Sequence, residues 1–188
     1  MHPRLEEVFD YLDAERSDLH QAIELVPAEL RDRQPGPDRW SVAQVLQHLV
    51  IVEKRIGMGM TKWVADAKAG GLRPEVKTSS VLMSLDLAVI ADRSRRRNAP
   101  EEVRPSGELD AASGLAALEQ TRAALRAAVI PADGLALGEV IQPHPVLGPI
   151  NVYQWLLFVG SHEVRHTGQV CEIAAELNAQ SSTMASAS

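Results

Sequence analysis

The strongest constraint on this chain is a repeat length. Four stretches place their apolar residues every three or four positions, and none alternates them with period two long enough to demand a sheet. The first runs from about Leu5 to Val26, with Leu5, Val8, Phe9, Leu12, Leu19, Ile23 and Val26 in one stripe and Pro27 ending it. After the turn-rich "RDRQPGPDRW", Ser41 reads as an N-cap, with Gln44 three residues on completing a capping box. That second helix runs to Gly70-Gly71. A third covers Ala111 to Val129, with Leu115, Leu118, Leu125 and Val129 on one side. The last starts near Asn151 and runs to about Asn178, roughly 40 Å at the α-helical rise.

Between these lie weaker segments. Within residues 72–110, "SVLMSLDLAVIADRSRRRN" reads as a shorter helix and "APEEVRPSGELD" as a loop. "PADGLALGEVIQPHPVLGPI" reads as an irregular connector, and the small polar residues 179–188 as a fraying or disordered tail. The expectation is a single all-α domain over residues 1–178, a four-helix bundle with a short helix-and-loop insertion around 72–110.

Composition narrows the function classes. A net charge of −6 gives no positive field for nucleic acid. One cysteine, Cys171, excludes an internal disulfide framework and a cysteine-rich zinc site, and suggests a reducing, cytoplasmic setting. No run of about 18 apolar residues is present for a membrane span, and the amphipathic N-terminus has no signal-peptide core.

Against that background "WLLFVGSHEVRH", residues 155–166, stands out, because a buried helix face has no use for imidazoles unless something satisfies them. With His162 set at zero on the helical wheel, His166 falls at about 40°, Trp155 and Ile173 at about 20°, and Val159 at about 60°. Both histidines therefore share the apolar face, with Gln169 beside them and Glu163 on the flank. On the second helix His48 lies on the side of Val45 and Val52, so a third imidazole also faces inward. Two histidines at i and i+4, with a third from a facing helix, can hold a divalent ion and leave it an open position. Hydrogen-bonded core histidines are the plainer alternative. The string also reads H-E-x-x-H, which raises a metalloprotease with Glu163 as general base, although "HTGQVCE" lacks the extended metzincin pattern.

Other residues have simpler readings. Glu163 is a candidate base or orienting residue, or else a surface pair, and Gln169 a candidate hydrogen-bond partner for a histidine or substrate. Arg55 and the run Arg93 to Arg97 read as solvated charge that an anion can meet. Trp40 reads as a hydrophobic staple, Trp155 as pocket wall, His144 as a turn residue, and Cys171 as buried and inert. His2 and His20 belong to no constellation, and Tyr153 lies too far round its helix to join the histidines.

"DRWSVAQVLQHLVIVE" and "HPVLGPINVYQWLLFVGSHEVRHTGQV" together resemble the two signatures of the DinB/YfiT-like superfamily, in its order and on its helices. The resemblance covers nearly the whole chain apart from the tail, while segment 72–110 has no clear counterpart in it. It implies an up-down-down-up four-helix bundle. It also implies a divalent metal, zinc or nickel, held by His48, His162 and His166, and frequent homodimers. Relatives include thiol-dependent S-transferases that use a low-molecular-weight thiol, and others described as metal-dependent hydrolases. A tris-histidine ion keeps its full charge and acidifies whatever fills its open position: a thiol for transfer, or water for hydrolysis. The competing class is a non-catalytic bundle that binds a partner or ligand around a structural or vestigial metal.

Overall fold

Each long helix begins where a side chain satisfies its free backbone N–H groups. At α1 (Pro3–Glu24), His2 Nδ1 accepts from Arg4 N and proline occupies the first turn. At α2 (Val42–Ala69) the capping box forms as the spacing predicts: Ser41 accepts from Gln44 N at 3.2 Å, and the Gln44 side chain accepts from Ser41 N at 3.0 Å. Asp110 caps α4 (Ala111–Val129), accepting from Ser113 N at 2.7 Å. Asn151 and Gln154 exchange the same reciprocal pair at the start of α5 (Val152–Ser186). Replacing Ser41 by alanine is expected to cost about 1 kcal/mol, read as a lower urea midpoint with an unchanged m-value.

This is a computed structural model, and it describes residues 1–94 and 98–186, with side chains through residue 180 in the last helix. The four long helices form an all-α bundle in which α1 packs on α5 and α2 on α4. Two apolar clusters fill it. One gathers Leu5, Val8, Phe9 and Leu12 with Ile56, Met60, Val64, Leu125, Val129, Val152 and Leu156. The other gathers Leu19, Ile23 and Val26 with Val42, Val45, Leu46, Leu118, Val170, Ile173 and Leu177. The N-terminal half of α1 thus meets the N-terminal half of α5 and the C-terminal halves of α2 and α4, which makes the order up-down-down-up. Gly160 permits close approach along the parallel α1–α5 pair, since a Cβ there would stand 2.3 Å from Tyr11 Cε1.

Between the two clusters runs a charged layer with one residue from each long helix: Arg16, Glu53, Arg122 and Glu163, all at most 6% exposed. Arg122 Nε donates to Glu53 at 2.6 Å, and its Nη2 donates to Glu163 at 2.7 Å. Arg16 donates to Glu163 through Nε and to Glu53 through Nη2, the latter at 3.0 Å. The remaining donors reach the Leu12 carbonyl from Arg122 and the Leu118 carbonyl and Glu119 from Arg16. The quartet carries two charges of each sign and is neutral as a unit.

The connectors depart from expectation. "PADGLALGEVIQPHPVLGPI" is not wholly irregular: Ile141–His144 (β1) and Gly148–Asn151 (β2) pair antiparallel, His144 opposite Gly148. Gly148 takes φ 73°, which lets a three-residue loop close the hairpin. The strands are too short, and too rich in proline, to show alternation. In segment 72–110 the regular structure shrinks to a 3-10 turn at Leu82–Ser84, a five-residue helix α3 (Leu87–Ala91) and a second turn at Glu101–Val103. Helix α5 continues to Ser186 instead of ending near Asn178. No glycine or proline follows to stop it, and Gln180 is anchored by Arg33 at 2.8 Å and by the Pro35 carbonyl at 2.7 Å. Residues 187 and 188 of the expected tail lie outside the described residues. No described helix is long and apolar enough to cross a membrane.

Candidate metal centre

Helices α2 and α5 bring the three inward histidines to one point. His48 Nε2 stands 3.3 Å from His162 Nε2, and His166 Nε2 stands 3.2 Å from it, all three within 4.8 Å of one another. Two nitrogens each about 2.05 Å from a tetrahedral ion stand about 3.3 Å apart, so these separations fit the edges of such a site. His48 and His166 are buried, while His162 keeps part of its surface.

Hydrogen bonds on the far side of two rings fix which nitrogen faces inward. His48 Nδ1 lies 2.7 Å from the Val103 carbonyl, and His166 Nδ1 lies 2.9 Å from Gln169 Oε1. Both acceptors require Nδ1–H, so both Nε2 atoms present lone pairs to the triangle. His162 can supply at most one proton there, which leaves an electron-rich centre that a cation satisfies. Gln169 thus meets a histidine, one of the two partners its position allowed.

All three imidazoles are held below their ordinary range. Burial lowers His48, against the pull of its Val103 hydrogen bond. Burial and then repulsion from His48, Arg165 and His144 bring His162 down to about 3. His166 lies well below the usual value through burial and then its two histidine neighbours. They are therefore neutral and ready to ligate. In the unfolded chain they take protons as pH falls through about 6.5, whereas folded His162 resists until about 3. Stability of the metal-free protein is thus complete above about pH 6.5 and falls below it. The opposing carboxyls are Glu15 and Glu53, which burial pushes up. A denaturant midpoint lower at about pH 5 than at about pH 7.5, with part of the difference removed by His162→Asn, is the expected result.

Aromatic rings enclose the triangle. Trp40 lies 5.1 Å from the His48 ring and stacks at 6.4 Å on His166. Phe158 stacks on His162 at 5.5 Å, and His144 meets Phe158 edge-on at 4.4 Å. His144 is a turn residue: its Nδ1 accepts from Val146 N and Leu147 N, both at 3.1 Å. The end of segment 72–110 lies against α2 beside the site, bringing the Val103 carbonyl to His48 and joining Ser106 and Gly107 to Gln47. Trp40 and Phe158 were not read as part of the site, nor was Val103, and no local signal marks a carbonyl that arrives from a distant loop.

Other candidates fall elsewhere. Glu163 is 2% exposed, and both its oxygens accept from arginines of the charged layer. A protease of the H-E-x-x-H type needs that carboxylate facing the ion. Arg55 donates to the Glu102 carbonyl, and Arg93 pairs with Glu172 and reaches the Arg165 carbonyl. Arg95 to Arg97 lie outside the described residues. Cys171 is exposed rather than buried, being about 100° round the helix from Val170 and off the stripe of Val170, Ile173 and Ala174. His2 and His20 stay remote, as a cap and as a partner of Glu119. Tyr153 is core.

A family model described as the DinB superfamily matches residues 11–170. A curated relative, "Uncharacterized protein YuaE" of Bacillus subtilis (strain 168), is 30% identical over 152 residues, covering 79% of this chain and 86% of the relative. No solved structure matches the chain.

Proposed function

This chain belongs to the DinB superfamily, and on that footing we propose that it is a metal-dependent enzyme acting on a small electrophilic molecule, either transferring a low-molecular-weight thiol to it or hydrolysing it. The observation that carries this reading is the Nε2 triangle of His48, His162 and His166, with the outer Nδ1 protons of His48 and His166 already committed to Val103 and Gln169. Zinc and nickel both suit three imidazoles. Bound there, the ion would supply the acidity that turns a thiol or a water into a nucleophile.

The protein's own contribution is orientation and enclosure. Val103 and Gln169 fix two rings in the ligating tautomer. Trp40 and Phe158 lie against the histidine rings as apolar walls that would limit water around the ion. A thiol co-substrate fits a reducing, cytoplasmic location. The test is elemental analysis of purified protein followed by turnover assays with small thiols and model electrophiles. The proposal expects about one zinc or nickel per chain and turnover that needs the metal, dependent on thiol for transfer and independent of it for hydrolysis. Protein without bound metal, or metal-loaded protein inert in both assays, would overturn it.

A further inference from the structure

Three histidines face the ion site, yet the protein places an acceptor behind only two of them. Among the described residues, no carbonyl or carboxylate oxygen accepts from His162 Nδ1. A ligating imidazole nearly always donates its second N–H to a carboxylate, a carbonyl or a water. His162 lines a cavity of about 10 Å³ whose other walls are Leu49, Val52, Glu53, Val159 and Glu163. That volume is about what one water centre needs. With Nε2 turned to its two partners, Nδ1 is the polar edge the ring has left. Each Glu53 oxygen accepts from one guanidinium N–H, Oε1 from Arg122 and Oε2 from Arg16, so each retains a second lone pair.

We propose that Glu53 is a positioning residue for His162, acting across this cavity through one water that accepts from His162 Nδ1–H and donates to the Glu53 carboxylate. Glu53 is favoured over Glu163 because it faces His162 from the opposite helix. Glu163 follows His162 on the same helix, about 100° round it. Arg16 and Arg122 hold the Glu53 carboxylate in place, so the charged layer acts as the rigid backing of the ion site as well as a seam in the core. The inference rests on the proposed function only in requiring that His162 ligate an ion.

The test uses zinc-loaded full-length protein labelled with ¹⁵N-histidine. Wild type is expected to show a His162 Nδ1–H protected from exchange, alongside those of His48 and His166. Glu53→Gln is expected to shift the His162 signal alone and to weaken zinc affinity about 10-fold. Val159→Ile extends apolar volume into the cavity without touching a charge, and is expected to do the same. It carries the test if Glu53→Gln fails to fold. Glu119→Gln, which removes only the charge that Arg16 and His20 meet outside the layer, should leave the His162 signal in place. A zinc-loaded wild type whose His162 N–H exchanges freely, or a folded Val159→Ile variant with wild-type signal and affinity, overturns the positioning role alone. Protein that takes up no zinc overturns the proposed function and this role with it.

Discussion

His166→Ala is expected to abolish metal binding, taking the content from the proposed value of about one ion per chain to near zero after dialysis, read by elemental analysis beside wild type. Among the described residues, three neutral imidazoles form the cluster placed to hold an ion, and two bind a divalent ion far more weakly against water and buffer. The variant also discards the ring that Gln169 orients and Trp40 covers. A far-ultraviolet circular dichroism spectrum with wild-type helicity is the necessary companion measurement. Gln169→Ala provides a graded version. It leaves all three ligands and removes only the acceptor behind one, so affinity should drop about 10- to 100-fold without being lost. Equal loss in both variants would mean that Gln169 matters for folding rather than for tautomer.

The second large effect lies in the core. Arg122→Ala strips one partner each from Glu53 and Glu163 and removes the side-chain donor to the Leu12 carbonyl, all within a layer at most 6% exposed. Breaking a buried ion pair from one side costs about 3–5 kcal/mol. For a chain of this size that is a fall in melting temperature on the order of 10 °C. Asp13→Ala is the matched control. It removes an exposed pair with Arg126 at 2.7 Å and should change stability by less than about 1 kcal/mol. If the two variants melt together, the layer does not hold the bundle as described.

How much of this was legible varies by residue. The bundle was readable because its stripes are long and its caps explicit, Ser41 with Gln44 above all. The histidines were readable because two share a helix face and the third sits on an apolar one. The charged layer was equally open to reading and was missed. Arg16 falls four after Leu12 and three before Leu19, and Arg122 four after Leu118 and three before Leu125. Glu53 falls four after Leu49 and three before Ile56, and Glu163 four after Val159. Each occupies a core position of its helix, two of each sign, which is the pattern of charges that neutralise one another indoors. Glu163 was judged by its angle from His162 rather than by its place in the stripe. The hairpin and the Val103 carbonyl were beyond reach, since both depend on where distant segments land.

Because α2 and α4 run in the same direction, the chain leaving the foot of α2 must climb back along the whole barrel before α4 can begin. That return is made by residues 70–110, and on it the Val103 oxygen meets the outer nitrogen of His48. Connectivity alone therefore obliges a long connector, and it is this connector that supplies the acceptor behind one histidine of the centre. A change in the length or sequence of that connector therefore reaches His48 without touching the four rods.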